Sequence, residues 1–189
     1  MSWTGVYFAD YPRMANRPSR LRDFPYIGEY RYFLTICTQN RAPVFEVDAN
    51  ARCAVAQILR TSSQLAFDVI AYCVMPDHVH ALVAGMQPDS DFQLLAKTYK
   101  QVTGHWWKQT GQSRLLWQEG FHDRVLREDD HTEDVVRYIL LNPVRAGLVT
   151  DPRDYPYLGA AKYDVATLLE SVCVWEPPWR RNGGSKGRT

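Results

Sequence analysis

The sequence predicts an α+β fold, a ferredoxin-like split βαβ unit whose antiparallel sheet carries helices on one face. Segments rich in aromatic and β-branched residues alternate with segments of helical spacing in the order β-α-β-β-α-β-α. Two of these strands are separated by only two turn residues. With 189 residues, 46% of them hydrophobic, the chain is long enough to bury a core as one globular domain. The sheet face without helices is expected to be left for a ligand.

The first half of the unit is predicted as strand, helix and hairpin. The opening strand is rich in aromatic and β-branched residues, and the helix places Val55, Ile58 and Leu59 at helical spacing. Pro76 and Asp77 are typical of a tight turn, which makes the two strands around them a hairpin. The predicted ranges are 29–40 for the first strand, 49–66 for the helix, and 67–75 and 78–85 for the hairpin strands.

The second half is predicted as helix, strand and helix, over residues 91–108, 121–128 and 129–142. The last helix begins in a run of acidic residues, which suit the positive end of a helix dipole. Asp130 is placed to cap it, with Glu133 three residues later as its partner. This helix is an addition to the ferredoxin-like unit and completes a predicted domain of residues 29–150.

Basic segments flank this domain at both ends. Residues 1–28 are rich in Arg and Pro without a sustained hydrophobic period, which predicts a basic N-terminal arm. Residues 151–189 form a C-terminal extension, whose end, WRRNGGSKGRT, has too much glycine and charge to support a core and is expected to be mobile. Both ends can lie on a polyanion, although a solvated tail has the same composition. The candidate polyanion contacts in the arm are Arg13, Arg17, Arg20 and Arg22.

The cysteines and the apolar runs indicate where in the cell the protein is expected to be. Four cysteines are scattered without a C-x-x-C spacing, and the N-terminus has neither a basic leader nor an apolar signal core. No apolar run approaches the length of a membrane span. These features predict a soluble, reduced, cytoplasmic protein without a disulfide framework or a membrane contact.

The segment YCVMPDHVHALVAG (72–85) holds two histidines one residue apart in an apolar run. Because side chains alternate between the faces of a strand, His78 and His80 leave the sheet on the same side. Two imidazoles so placed can chelate one divalent ion, which still needs an oxygen ligand and open positions for substrate. Alternatively, both are ordinary strand histidines that face partners or water, the commoner outcome for an isolated pair of this kind.

The third predicted helix offers an oxygen ligand and a nucleophile. Tyr138 and Asn142 are four residues apart, so on an unbroken helix they point the same way, and the amide oxygen of Asn142 can bind an ion beside the phenol. Alternatively, the two simply belong to the inward-facing stripe of a buried helix, with Val135 and Ile139. Because the residue before a proline is disfavoured in the helical region, the helix is expected to end or bend ahead of Pro143.

Three stretches in this order and spacing carry a resemblance to a known family. They are MPDHVHALV, LWQEGFHDRVLRE and VVRYILLNPVRAGLV. Together they resemble the single-tyrosine HUH transposases, and among these the REP-associated tyrosine transposases of bacteria. The resemblance runs from about residue 30 to residue 149, and the basic leader is also typical of the family.

The resemblance implies a ferredoxin-like nuclease that cuts and rejoins single-stranded DNA with a catalytic tyrosine and Mg²⁺ or Mn²⁺. His78 and His80 match the metal-binding histidines of the family. Tyr138 matches the nucleophile, and Asn142 falls where the family has a polar metal ligand. The implied product is a 5′-phosphotyrosine with a free 3′-hydroxyl, on DNA that contains hairpin repeats. The family includes monomers and homodimers, so both states are expected alternatives here.

The residues that hold a single strand are usually basic or aromatic. The helix at 91–108 interleaves the two kinds, and Lys97 and Lys100 are its candidate DNA contacts, although such a stripe is more often part of a core. Arg145 follows the tyrosine by seven residues and either touches phosphate or simply ends the helix ahead of Gly147.

Two other functions compete with this one. A two-histidine phosphoesterase needs two H-x-[ST] units, and none of the five histidines is followed at the second position by Ser or Thr. A non-catalytic protein that recognises hairpin DNA is the stronger rival, since retained residues alone do not establish activity. The presence of His78, His80 and Tyr138 favours the enzyme.

Overall fold

A computed structural model of the protein describes residues 24–127 and 130–173. The predicted contacts of the N-terminal arm, Arg13, Arg17, Arg20 and Arg22, lie outside the described residues, as does the glycine-rich C-terminal end. The described elements follow the predicted order, with a short strand and a helix added from the C-terminal extension. The strands are β1 Arg31–Cys37, β2 Phe67–Met75, β3 His78–Gly85, β4 His122–Leu126 and β5 Leu158–Gly159. The helices are α1 Asp48–Gln64, α2 Phe92–Gln109, α3 Thr132–Arg145 and α4 Val165–Cys173.

The sheet has the strand order of a ferredoxin-like unit with one edge strand added. Its strands lie in the order β4-β1-β3-β2-β5, and each neighbouring pair is antiparallel. β2 and β3 form the predicted hairpin, with Met75 opposite His78 across the turn. The carbonyl oxygen of Asp77 in this turn accepts hydrogen bonds from the backbone N–H and the hydroxyl of Thr38, both at 2.9 Å. The predicted fold class is confirmed.

One face of the sheet is covered by α1 and α2, as predicted. Each strand turns alternate side chains toward this face, and the two helices pack their own apolar stripes against them. Phe92 at the start of α2 stacks on Tyr32 of β1, with ring centroids 4.1 Å apart. Tyr26 stacks beside them and is buried. The end of the predicted basic arm therefore belongs to the core.

The opposite face is less open than predicted, because α3 packs on it and α4 packs on α3. Ile139 and Leu140 of α3 are fully buried in a cluster with Phe33 on β1 and Leu82 on β3. The physical reason is the apolar stripe of α3, which has to be covered by a second apolar surface. The consequence is that α3 is fixed on the second face of the sheet.

The start of α3 differs from the prediction. The residue before its first turn is His131 rather than Asp130, and the side chain of His131 makes no capping hydrogen bond to the helix. Asp130 instead forms an ion pair with Arg124 and accepts a hydrogen bond from the backbone N–H of Arg127 at 2.8 Å. The carboxylate thus stabilises the end of β4 instead of the helix.

The other end of α3 lies three residues beyond the predicted one. The helix continues past Pro143, so Asn142 lies within it. It ends at Arg145, and two residues later Gly147 has a φ of 69° and donates its backbone N–H to the carbonyl of Val144 at 2.9 Å. The N–H of Leu148 donates to the carbonyl of Pro143 at 2.9 Å. These two bonds form a Schellman motif, which fixes the helix end close to the predicted site residues.

The described part of the C-terminal extension adds to the domain. β5 pairs with β2 at one edge of the sheet, and α4 packs against α3 through the buried residues Leu168, Leu169 and Val172. Within residues 24–127 and 130–173, no helix has the length and apolar character needed to cross a membrane.

Candidate active site

The two histidines of β3 lie side by side on the sheet face that α3 covers. Their Nε2 atoms are 3.0 Å apart, and their ring centroids are separated by 4.5 Å. Only 3% of His78 and 4% of His80 is exposed. The alternation of side chains along β3 therefore brings the predicted pair together, and the surrounding protein shields it from bulk water.

Each histidine is oriented by a hydrogen bond at its other ring nitrogen. Nδ1 of His78 lies 2.6 Å from a carboxylate oxygen of Asp77, and Nδ1 of His80 lies 2.8 Å from the hydroxyl of Thr35 on β1. The second carboxylate oxygen of Asp77 accepts a hydrogen bond from Nε of Arg41 at 2.9 Å. Partners of this kind fix the tautomer and the ring orientation of histidines that bind metals.

Burial keeps both histidines neutral. It is the main influence on the pKa of His78, which is lowered although Asp77 beside it acts in the opposite direction. The pKa of His80 is lowered well below its usual value, first by burial and then by His78 and Arg41. Burial alone would raise the pKa of Asp77, but the hydrogen bond from His78 and the charge of Arg41 lower it overall. At neutral pH the cluster therefore combines two neutral imidazoles with an ionised carboxylate.

The geometry of the pair fits a divalent ion. An octahedral ion with ligands at about 2.0–2.1 Å holds neighbouring ligand atoms about 3 Å apart, and the two Nε2 atoms are separated by 3.0 Å. When both rings donate their Nδ1–H outward, the Nε2 lone pairs face each other, an arrangement that a cation stabilises. Without an ion, the Thr35 hydroxyl can donate to His80, whose Nε2–H then donates to His78.

Tyr138 on α3 lies against the histidine pair. Its ring centroid is 5.4 Å from that of His80 and 5.8 Å from that of Phe33, both in edge contacts. The tyrosine is half-buried, so part of its side chain is accessible to a substrate. The guanidinium carbon of Arg145 lies 5.2 Å from the centre of the Tyr138 ring. One helix therefore places the predicted nucleophile and a predicted phosphate contact together.

Asn142 is buried one helical turn beyond Tyr138, and their spacing places both on one face of α3. The Nδ2 atom of Asn142 is buried and has no hydrogen-bond partner among the described residues, which is costly for an amide. Turning the amide by 180° exchanges nitrogen and oxygen and puts a cation-binding oxygen in that position. No group of three or more His, Cys, Asp and Glu side chains in the described part of the chain could hold a metal ion. The amide is thus the candidate third ligand.

The two predicted DNA contacts on α2 have different surroundings. Lys97 is exposed. Lys100 is half-buried, and its ammonium group donates to the backbone carbonyls of Gln118 and Gly120 at 2.7 and 2.6 Å. Burial lowers the pKa of Lys100. Lys100 therefore holds the segment that leads into β4, while Lys97 is free of that role. Tyr99 between them is fully buried in the core.

Three residues around the histidines are absent from the sequence-based site. Asp77 is predicted only as a turn residue, although its position directly before His78 is a usable signal for a hydrogen-bonding partner. Thr35 reaches His80 because β1 and β3 pair with these two residues opposite each other. Arg41 reaches Asp77 through the chain that follows β1. These last two depend on strand register and loop path, which no local pattern in the sequence specifies.

Comparisons with known proteins identify the family of this chain. Residues 27–142 match the family model described as transposase, IS200-like. A protein of Haemophilus influenzae assigned as a REP-associated tyrosine transposase is 30% identical over 150 residues, which cover 72% of this chain and 81% of that protein. The REP-associated tyrosine transposase of Escherichia coli K12 is 24% identical over 132 residues, which cover 70% of this chain and 77% of that protein.

A solved structure has the same fold. It is the REP-associated tyrosine transposase bound to a REP hairpin, and it matches with a TM-score of 0.59 at 23% sequence identity. The match covers 74% of this chain and 81% of the solved one.

Proposed function

Because this chain belongs to the IS200-like transposase family and, within it, to the REP-associated tyrosine transposases, we propose that it cuts and rejoins single-stranded DNA with Tyr138 as the nucleophile. The observation that carries the proposal is the contact between Tyr138 and His80, whose ring centroids are 5.4 Å apart on a buried sheet face. A helix that only covered the sheet would gain more from an apolar side chain there than from a phenol beside two buried imidazoles.

The proposed ligands of Mg²⁺ or Mn²⁺ are His78, His80 and the amide of Asn142. These side chains would hold the ion, and its chemical contribution would be Lewis acidity toward the scissile phosphate and partial neutralisation of the phosphate charge. Neighbouring side chains orient the two histidine rings. Asp77 and Thr35 occupy the Nδ1 atoms of the two rings, so that the Nε2 atoms are the ones directed at the site.

The tyrosine step exchanges one phosphate ester for another. The phenol oxygen of Tyr138 bonds to phosphorus as the bond from phosphorus to the 3′ oxygen of the preceding nucleotide breaks. The phenol gives up its proton and the departing 3′ oxygen gains one, which leaves a free 3′-hydroxyl and a 5′-phosphotyrosine. The proposed phosphate contact is the guanidinium of Arg145, whose central carbon lies 5.2 Å from the centre of the tyrosine ring. A different 3′-hydroxyl can then attack the phosphotyrosine and join two strands without ATP.

The proposed substrate is DNA that contains a hairpin repeat with single-stranded flanks. The solved structure with the same fold is bound to a REP hairpin. On this chain, Arg145 is exposed beside the tyrosine and Lys97 is exposed on α2. The arginines between Arg13 and Arg22 add positive charge that suits a DNA backbone.

A denaturing-gel assay tests the proposal. Wild-type protein and Tyr138→Phe are incubated with labelled single-stranded DNA from the hairpin repeats that flank the gene, in Mn²⁺ or in EDTA. We expect a metal-dependent covalent adduct with the wild type and none with Tyr138→Phe, which still binds the DNA. Tyr163→Phe is the matched control, because that tyrosine is exposed on the surface. Tight binding by the wild type without an adduct in any divalent metal would overturn the enzyme and support a non-catalytic hairpin-binding protein.

A further inference from the structure

A cleft of about 540 Å³ lies between the second half of α2 and the segment that leads into β4. It borders the sheet face that α1 and α2 cover, whereas Tyr138 and the histidines lie on the face that α3 covers. We propose that this cleft binds one or two nucleotides of the DNA strand outside the phosphodiester that Tyr138 attacks. The inference rests on the proposed function, because it takes single-stranded DNA as the substrate.

The chemistry of the cleft fits a single strand. Lys97, Lys108 and Arg114 are exposed at its walls, and the half-buried rings of Trp107 and Phe121 line it. None of the described residues that line it carries a carboxylate. Cationic groups spaced between aromatic rings are the arrangement in which phosphates are neutralised while bases stack on the rings. An acidic or purely apolar partner would leave one of these two features unused.

The walls of the cleft are fixed before any ligand binds. The ammonium group of Lys100 on α2 donates to two backbone carbonyls of the opposite wall, at 2.7 and 2.6 Å. The indole N–H of Trp107 donates to the carbonyl of Arg114 at 3.0 Å, and that of Trp117 donates to the hydroxyl of Thr103 at 2.8 Å. These bonds cross from the helix to the segment. A nucleotide therefore does not have to order the cleft when it enters, which favours binding.

The cleft is connected to the end of the sheet where the histidine strand begins. Trp117 in its wall forms a β-bridge with Thr38, directly after β1. Thr38 also donates two hydrogen bonds to the carbonyl of Asp77, the residue before His78. One residue thus links the cleft wall to the turn that opens the site.

DNA affinity tests the cleft independently of cleavage. Binding of a labelled hairpin oligonucleotide with single-stranded flanks is measured by fluorescence anisotropy in EDTA, in a Tyr138→Phe background. Each phosphate contact on a single strand contributes about 0.7 to the slope of log affinity against log salt concentration. We therefore expect Lys97→Ala/Lys108→Ala to lower that slope by about 1.4. The matched control, Arg52→Ala/Arg60→Ala, removes two positive charges from α1 and should leave the slope unchanged.

The stacking component is tested at Trp107. Trp107→Ala should weaken binding about 5- to 140-fold, whereas Trp107→Phe, which keeps an aromatic ring, should retain most of the affinity. Photo-crosslinking of the oligonucleotide with 5-iodouracil in its flanks should attach it to the peptides that contain Trp107 or Phe121. Flank crosslinks that map only elsewhere, together with an unchanged salt slope in the lysine variant, would overturn the cleft proposal.

The outcomes separate the two proposals. If the wild type forms the Tyr138 adduct while the cleft variants bind like their controls, the cleft proposal is wrong and the proposed function stands. If the cleft variants lose affinity and the flanks crosslink to the cleft while no adduct forms in any divalent metal, the nuclease is wrong and the nucleotide site stands.

Discussion

At the scale of single residues, neighbouring side chains determine which ring nitrogen of each histidine faces the proposed metal site. Asp77 lies between Arg41 and His78 and bonds to both, and Thr35 bonds to His80. None of these three bonds involves the predicted nucleophile. Their role in the proposed site is to orient two imidazoles so that the Nε2 atoms, 3.0 Å apart, face the same point.

Removing the carboxylate of Asp77 should weaken metal binding more than DNA binding. We expect Asp77→Ala to lower the affinity for Mn²⁺ about 10- to 100-fold, because His78 loses the partner that holds its ring and tautomer. Isothermal titration of metal-free protein with Mn²⁺ measures the change. Asp68→Ala is the control, since that carboxylate pairs with Lys162 at 2.9 Å on another part of the protein. An Asp77→Ala protein that binds Mn²⁺ as the wild type does would contradict the role given to this carboxylate.

The buried histidines should also make stability depend on pH. Their pKa values in the folded, metal-free protein are lowered by burial, so the unfolded chain binds more protons once the pH falls below about 6.5. The free energy of unfolding should therefore be highest above that pH and fall below it, by up to about 1.4 kcal/mol per pH unit for each histidine. Urea titrations in EDTA from pH 7.5 to 5.5 measure this. The double variant His78→Gln/His80→Gln should show a smaller dependence, and equal slopes in the two proteins would argue against neutral burial.

At the scale of elements, α3 is the part of the fold that joins packing to chemistry. Its apolar residues hold it on the sheet, its half-buried Tyr138 contacts His80, and its C-terminal turn carries Asn142 and Arg145. The Schellman motif at Gly147 ends the helix directly after these residues. The position of the site therefore depends on how this helix is packed and ended.

Gly147→Ala should destabilise the protein by about 1 kcal/mol. A φ of 69° is costly for any residue with a Cβ atom, and an added Cβ would meet no neighbouring atom within 4 Å, so the cost comes from the backbone alone. Gly104→Ala is the matched control, because Gly104 lies within α2 and its added Cβ also meets nothing within 4 Å. That substitution should stabilise by about 0.5–1 kcal/mol. Urea denaturation of both variants checks the opposite signs.

The elements show which features a single sequence can predict. The two hairpin strands begin and end at the predicted residues, because Pro76 and Asp77 mark the turn sharply on both sides. The start of α3 could not be predicted from Asp130, because the carboxylate of Asp130 pairs with Arg124 on β4 instead of capping the helix. Its end was missed because the preference against helix before Pro143 is overridden by packing and by the Gly147 turn.

In the site, too, local spacing was predictable from the sequence and tertiary contacts were not. His78 and His80 were predictable because period two alone puts them together, and Tyr138 with Asn142 because helical spacing does the same. Contact between the two pairs depends on α3 packing on the sheet face opposite α1 and α2. That placement depends on tertiary contacts between segments that are distant in sequence, as do the partners Thr35 and Arg41.

At the scale of the whole molecule, the sheet separates two apolar cores. One lies under α1 and α2, and the other lies under α3 and α4 and adjoins the site. Ile58 and Ile139 are both fully buried, one in each core. The two cores should contribute similarly to stability and differently to activity.

Matched truncations in the two cores test this separation. Ile58→Ala and Ile139→Ala should each lower the free energy of unfolding by about 2–5 kcal/mol. At a temperature where both variants are folded, only Ile139→Ala should slow cleavage in a single-turnover assay, because only Ile139 supports the helix that carries Tyr138. Equal cleavage rates in the two variants would show that the position of α3 does not limit the reaction.

The central claim is that Tyr138 forms a covalent bond to DNA with a defined polarity. The most direct measurement is tandem mass spectrometry of the protease-digested adduct formed on a hairpin oligonucleotide that carries different labels on its two sides. The account predicts that the peptide containing Tyr138 carries the 5′-phosphate of the downstream fragment, while the upstream fragment is released with a free 3′-hydroxyl. Attachment at another residue, or of the upstream fragment through a 3′-phosphate, would contradict it.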